Sequence, residues 1–252
     1  MIPRFIAAVL VLMVSQTALL AVSPLVIDDA DTTDAGQLQL NPDFQFTRTG
    51  SISLYSMPIN PVVGLGPSLE LGVVFGYHWR DGSGSSPTMA DTEGVSDLVI
   101  SPKWRLWGGP NDKLKFSARL DLKLPTASDK RGLGTGEPDA GLVGIATYQL
   151  GKTTLDWNIG YHAIDISRTH PRDDRWFVGQ AVRRELDKAW TIIAETYALL
   201  PHTGTGGHAN LYFSGGAQWN IREQIVFAVL IGSAVGHNSP DLTGTLELAF
   251  TY

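Results

Sequence analysis

The sequence predicts an all-β fold: an antiparallel, up-and-down transmembrane β-barrel of about twelve strands. Three observations carry this. A leader of the export type opens the chain, segments of alternating polarity then repeat to its end, and the last of them closes on aromatic residues. Composition agrees. Of 252 residues 43% are hydrophobic and only 17% charged, below the ~25% usual in soluble domains, while Gly reaches 27 residues. A net charge of −6 disfavours an electrostatic nucleic-acid binder, and zero cysteines exclude disulfides, thiol catalysis and Cys-ligated zinc.

Met1–Val22 carries Arg4 as its only charge, an apolar stretch from Phe5 to Val14, and small residues around Ala18–Ala21 and Ser23. That order reads as a signal peptide over residues 1–23, cut after Ala21 or Ser23. Ser15, Gln16 and Thr17 interrupt the apolar run before the ~20 residues of a membrane-spanning helix accumulate. Residues 24–35 are expected to be a periplasmic lead-in. Its Asp28, Asp29, Asp31 and Asp34 read as a solvated linker rather than a calcium site.

The barrel is expected over residues 36–252. Successive side chains of a strand point to opposite faces, so period-two alternation marks a strand with one apolar and one polar side. Expected spans are 36–48, 51–63, 67–80, 94–107, 113–125, 137–150, 152–166, 174–186, 188–200, 208–220, 222–235 and 241–252. Each exceeds the ~9–11 residues that a tilted strand needs to cross a bilayer. Lys113–Leu124 shows the pattern best: Leu114, Phe116, Ala118, Leu120, Leu122 and Leu124 share one face, opposed by Lys115, Ser117, Arg119, Asp121 and Lys123.

Tight turns near Gly64, Pro110, Gly151, Asp187 and Ile221 alternate with longer connections at Asp81–Glu93, Thr126–Gly136, Ser167–Asp173 and His202–Gly207. This is the asymmetry of an outer-membrane barrel. The short Thr47–Ser51 hairpin is the exception. Alternation alone does not say which face is inside, since a soluble lipocalin-like barrel would bury the apolar one. Strand number and length favour a membrane barrel. So do two aromatic bands, with Tyr77, Trp79, Tyr161 and Trp176 near one end and Trp104, Tyr148, Trp190, Trp219 and Phe250 near the other. Leu246, Leu248, Phe250 and Tyr252 form the candidate assembly signal, read by the barrel-assembly machinery.

Candidate lumen-lining residues are Glu70, Arg80, Asp97, Lys103, Arg105, Lys115, Arg119, Asp121, Lys123, Asp139, Asp156, Glu195 and Glu247. They share the polar faces of their strands. An Arg or Lys turned to lipid at the midplane costs ~2–4 kcal/mol, which sends these side chains inward. Two readings stand side by side: paired charges that fill and rigidify a narrow barrel, and a charge-lined aqueous path. Lys115, Arg119 and Lys123 with Asp121 leave one strand net basic, and that stretch is expected to attract small anions.

No catalytic, cofactor or metal residue is assigned. Gly132–Gly136 has no Lys-Ser/Thr after it and no helix, so it reads as a flexible loop rather than a phosphate cradle, as does Gly204–Gly207. His162, His170, His202, His208 and His237 fall near upper rims, and Ser167, Ser214 and Ser233 are present. None of these serines lies in a G-x-S-x-G elbow. A lipid-modifying hydrolase is therefore the third reading.

The mature chain resembles a bacterial outer-membrane transporter family of the phenol-degradation meta-pathway. The likeness runs through "PLVIDDADTTDAGQLQL" (Pro24–Leu40), "LELG" (Leu69–Gly72), "GVSDLVISPKWRL" (Gly94–Leu106), "LDLKLPTA" (Leu120–Ala127), "GLGTGEPDAGL" (Gly132–Leu142) and "WNIGY" (Trp157–Tyr161). The resemblance implies an exported barrel linked to uptake of aromatic or hydrophobic compounds, and it supplies no catalytic residue. The expected function is passive transport of small solutes across the bacterial outer membrane, in contact with its lipids. A structural or surface-interaction barrel with a plugged lumen is the second reading.

Overall fold

The computed structural model describes residues 26–82, 92–164, 166, 174–202, 208–236 and 239–252. The signal peptide, Ser167, His170, His237 and Gly204–Gly207 lie outside the described residues.

Twelve antiparallel strands follow one another around a closed barrel. They are β1 (Leu38–Thr49), β2 (Ile52–Gly66), β3 (Leu69–Gly82), β4 in two pieces (Thr92–Val95 and Leu98–Trp107), β5 (Leu114–Leu124), β6 (Asp139–Leu150), β7 (Thr153–Ala163), β8 (Arg175–Glu185), β9 (Trp190–Pro201), β10 (Asn210–Arg222), β11 (Ile225–Gly236) and β12 (Leu242–Thr251). Each pairs with its sequence neighbour, and β12 returns to β1, with Gln39 opposite Thr251 and Arg48 opposite Leu242. Closure satisfies every edge, which a membrane-spanning sheet requires.

β4 is one strand bent in the middle. Both pieces pair with β3, but Tyr77 faces Val95 while Val74 faces Val99, so the register slips by one residue at Ser96–Asp97. Ser96 N still donates to Gly76 O at 2.9 Å, and Asp97 turns to accept from Ala127 N at 2.9 Å. The alternating pattern does not reveal this bulge. Two hairpins are two-residue turns that begin on a glycine at positive φ: Gly50 and Gly151, each at 59°.

Burial alternates along the strands in the sense opposite to a soluble protein. On β5 Lys115 and Ser117 are buried, whereas Phe116, Leu120, Leu122 and Leu124 are exposed. Large exposed apolar side chains continue around the barrel, among them Trp104, Leu142, Ile159, Val178, Ile192 and Ile231. A continuous apolar exterior of this kind requires a nonaqueous surround. Aromatics ring its ends: Trp190 stacks on Trp219 at 5.7 Å near the tight turns, and Tyr161 meets Trp176 edge-on at 5.0 Å near the longer loops.

Candidate functional site: a lumen threaded by the N-terminal segment

Residues 27–33 run inside the barrel, which corrects the reading of Asp28, Asp29 and Asp31 as part of a solvated linker, while Asp34 is exposed. Ile27 and Ala30 are fully buried and Asp29 is 2% exposed. Ile27 and Ala30 pack with Val143, Ile145, Phe177 and Ala181, a small apolar core within a polar lumen. The reason is complementarity. This stretch supplies the carboxylates that a strongly basic group of strands lacks, and its backbone finds partners on the strand side chains.

The main chain is bonded step by step. Ile27 N donates to Glu195 Oε2 at 3.2 Å, Asp28 N to Asn158 Oδ1 at 2.9 Å, Ala30 N to Thr147 Oγ1 at 2.8 Å and Thr33 N to Glu70 Oε2 at 2.6 Å. In return Asn158 Nδ2 donates to Asp28 O at 2.7 Å and Ser117 Oγ to Ala30 O at 2.6 Å. An extended segment inside a barrel has no ladder of its own, so side chains must take that part. At the exit Gly36 N donates to Gly64 O at 2.8 Å, and Gly64 N to Gln37 O at 3.0 Å.

The aspartates meet the basic strands. Asp28 accepts from Arg119 Nη1 at 2.7 Å and from Lys103 Nζ at 3.2 Å. Asp29 lies 3.2 Å from Arg183 Nη1. Asp31 accepts from Lys115 Nζ at 2.6 Å and sits 3.6 Å from Arg105 Nη1. Burial opposes ionisation of Asp28, but Lys103 and Arg119 outweigh it and hold this carboxyl below its ordinary range. Asp29 is the reverse: burial, against the pull of Arg183 and Lys103 and with Asp31 nearby, pushes it up to about 7.

The wall continues the network. Lys103 also reaches Glu70 at 3.0 Å, Arg119 reaches Asp121 at 3.0 Å, and Arg183 reaches Asp156 at 3.0 Å. Lys123 spans Asp139 at 2.7 Å and Asp97 at 3.7 Å. Asp121 accepts from Ser101 and Asp156 from Thr147. Glu195 accepts from Ser214 Oγ at 2.8 Å, and that hydroxyl is engaged with a carboxylate rather than an imidazole. Arg105 Nη2 donates to Pro67 O, and Arg80 Nη2 to Gly132 O at 3.2 Å. Glu247 is 3% exposed opposite Asp43.

Arg183, Asp28, Asp29 and Asp31 were not among the expected lumen residues. The signal that could have found them is the excess of cations on the polar faces of β4 and β5, which calls for acids from elsewhere. That excess was expected to attract anions, but Lys115, Arg119 and Lys123 each already hold a carboxylate. In the Gly132–Gly136 stretch Thr135 Oγ1 accepts from Lys123 Nζ at 2.7 Å, and just before it Arg131 O accepts from Thr92 Oγ1 at 2.9 Å.

Above the N-terminal segment, toward the longer loops, lies a cavity of about 370 Å³. Val26, Ile164, Phe177, Tyr197 and Leu199 form its apolar walls, and Arg119, Asp139, His162 and Arg175 its polar ones. Phe177 and Tyr197 stand 5.7 Å apart, ring to ring. Among the described residues no three His, Cys, Asp or Glu side chains gather as metal ligands.

A closed barrel with an apolar exterior and a charged interior, crossed by its own N-terminal segment, defines a transmembrane barrel of the outer-membrane type. More particularly, the chain belongs to the family described as "Putative MetA-pathway of phenol degradation", whose model matches residues 27–252. Its fold is similar to that of the COG4313 outer membrane channel from Pseudomonas putida F1. That match has a TM-score of 0.71 at 16% identity, over 89% of this chain and 98% of that one. The KdgM porin matches with a TM-score of 0.58 at 6% identity, over 84% and 99% of the two chains. The CymD monoaromatic hydrocarbon channel matches with a TM-score of 0.51 at 8% identity, over 87% and 88%. No curated protein matches the sequence.

Proposed function

We propose that the protein is a passive channel of the bacterial outer membrane for small solutes, and that aromatic or hydrophobic molecules with one polar group suit it best. The upper cavity carries this reading. Its volume lies in the ~300–1,000 Å³ range of small-molecule pockets, and it sets two ring side chains beside a cluster of polar ones. A single-ring solute would lie against Phe177 and Tyr197 and turn its polar group to His162, Arg175 or Asp139. The expected lumen residues then line the route below it and tune permeation. Similarity to a monoaromatic hydrocarbon channel and to a porin supports the same reading.

On this reading no reaction is catalysed and no cofactor is used. The apolar exterior meets outer-membrane lipid, residues 1–23 direct export, and the assembly machinery reads the last strand. The threaded lumen favours a second reading, a structural barrel closed to solutes. Conductance in planar bilayers and uptake of aromatic solutes into liposomes decide between them. Current with uptake supports the channel. A heat-modifiable, folded barrel that passes neither ions nor solutes establishes the structural reading.

A further inference from the structure

The lipid-facing side of the barrel carries a polar group at a depth where lipid offers it nothing. On β8 Phe177, Ala181 and Arg183 turn to the lumen, so Val178, Gln180 and Val182 turn outward, and all three are exposed. Nearby amides do the opposite: Asn158 on β7 and Gln218 on β10 face the lumen and are buried. Gln180 stands four residues along β8 from Trp176 of the upper aromatic band. At ~3.3 Å per residue on a strand tilted by ~40°, that sets it about 10 Å inside the band. The apolar belt of such a barrel is only about 25 Å tall, so the amide lies near its middle. Gln180 has no side-chain hydrogen bond among the described residues.

Around it the outer face is low and partly polar. Trp157 of β7 and Thr196 of β9 are the register partners of Gln180. Thr196 Oγ1 donates to Tyr212 O at 2.9 Å, whereas the Trp157 indole N–H has no acceptor among the described residues. Ala194 and Ala198 flank Thr196 on the same face, and Gly215 of β10 stands opposite Ala194. A groove of about 220 Å³ lies here, with Trp157, Gln180, Thr196, Ala198 and Leu211 in its lining.

An amide turned to hydrocarbon without a partner is unfavourable, and acyl chains hold no donor or acceptor at this depth. Whatever satisfies Gln180 must bring its own polar group to the middle of the membrane, which a protein surface can do and a lipid cannot. A second copy of this chain does so by symmetry. Copies inserted by one route share one orientation, so a two-fold axis between them lies along the membrane normal and each residue meets the other copy at its own depth. A carboxamide carries both donors and an acceptor, so two of them satisfy each other with a pair of hydrogen bonds. Small residues beside such a group let two membrane-embedded surfaces approach closely.

We propose that two barrels associate through the outer face of β7 to β10, with Gln180 bonded to Gln180 of the partner subunit across a two-fold axis. Each copy keeps its own lumen, so the inference does not depend on whether the barrel conducts.

Energy transfer between labelled copies in lipid vesicles tests it. The chain has no cysteine, so Asn111→Cys, in the exposed turn between β4 and β5 and away from this face, takes a single dye. Donor- and acceptor-labelled full-length protein is reconstituted together in phosphatidylcholine vesicles, and transfer is followed as lipid is added. Transfer above the random-mixing level is expected to persist on dilution. Gln180→Leu removes only the polar group and is expected to raise the dissociation constant about five- to thirtyfold. Ala198→Trp fills the groove and lowers transfer by shape alone. Heat-modifiable migration confirms that each variant folds, and Ala198→Trp decides the matter if Gln180→Leu does not fold. Transfer no greater than random mixing in the unaltered protein would show that lipid or a different protein covers this face. Undiminished transfer in a folded variant would show that the two copies meet elsewhere. Either result overturns the inference.

Discussion

Arg119 of β5 donates from Nη1 to Asp28 Oδ2 at 2.7 Å, joining a strand of the wall to a segment 91 residues earlier in the chain. Lys103 meets the same carboxyl at 3.2 Å. Two cations on one aspartate make Asp28 the electrostatic anchor of the inserted segment. Asp28→Asn should remove one formal charge and weaken two charge-assisted bonds, at a cost of about 1–3 kcal/mol in docking. Because the chain has no cysteine, Ala30→Cys, at a fully buried position, reports undocking. Its reaction with a maleimide should run about five- to 150-fold faster when Asp28→Asn is added. Equal rates would show that the main-chain bonds alone hold the segment.

Asp29 makes docking depend on pH with a definite sign. Free, its carboxyl titrates near 3.8; docked, it is pushed up to about 7, chiefly by burial. Between those values the docked segment takes up a proton that the released one does not, so docking weakens as pH rises from about 4 to about 7. Asp28 acts the other way. Its carboxyl is held below 3.8, so its contribution is present above that value and fades only in stronger acid. A several-fold larger conductance at pH 8 than at pH 5 is expected, and Asp29→Asn should flatten the difference. The same slope in that variant would assign the pH dependence to another group.

Gly64 is where the inserted segment leaves the lumen. A Cβ at this position would fall on the carbonyl oxygen of Asp34, a backbone atom that cannot rotate away. Gly64→Ala should therefore push residues 33–36 off the wall and strain the Gly36–Gly64 bond, while most of the β1–β2 and β2–β3 ladders persist. Maleimide labelling at Ala30→Cys should rise, with heat-modifiable migration preserved. Unchanged labelling would mean that this exit does not position the segment.

Lys113–Leu124 shows why the barrel was legible and its contents were not. Strand identity is local: alternation of Leu, Phe and Ala with Lys, Arg and Asp fixes the face of each side chain. Expected and observed strands accordingly agree to within a few residues at their ends, as in 113–125 against Leu114–Leu124. Asp28, Asp29 and Asp31 carry no such periodicity. Their place is set by Arg119, Arg183 and Lys115 on strands far along the chain, and a short acidic stretch looks alike whether water or arginine surrounds it. The slip at Ser96–Asp97 was hidden for a related reason, since a single inserted residue leaves the apolar positions on both sides plausible.

The closing strand offers the sharpest test of assembly. Leu246, Leu248 and Phe250 alternate with Glu247, Ala249 and Thr251, and the latter three are buried while Leu246 is 43% exposed. The seam ends at Tyr252, where Tyr252 N donates to Leu38 O at 2.8 Å and Leu38 N to Tyr252 O at 3.1 Å. The ring of Tyr252 is itself 72% exposed, so its loss would cost little internal packing. Deleting Tyr252 removes the last pair of bonds between β12 and β1. Changing Phe250 and Tyr252 to Asp keeps the backbone but places charge at the rim of the apolar surface, where the cost is ~0–1 kcal/mol per residue by depth alone. Neither change is large enough to unfold a finished twelve-strand barrel. If these residues act only through stability, both variants should reach the outer membrane at near-normal levels. If they are read during assembly, outer-membrane levels should fall several-fold while export continues, and the purified variants should still refold in detergent to the heat-modifiable form. Fractionation together with refolding separates the two, and normal outer-membrane levels of either variant would show that the aromatic ending is not a signal.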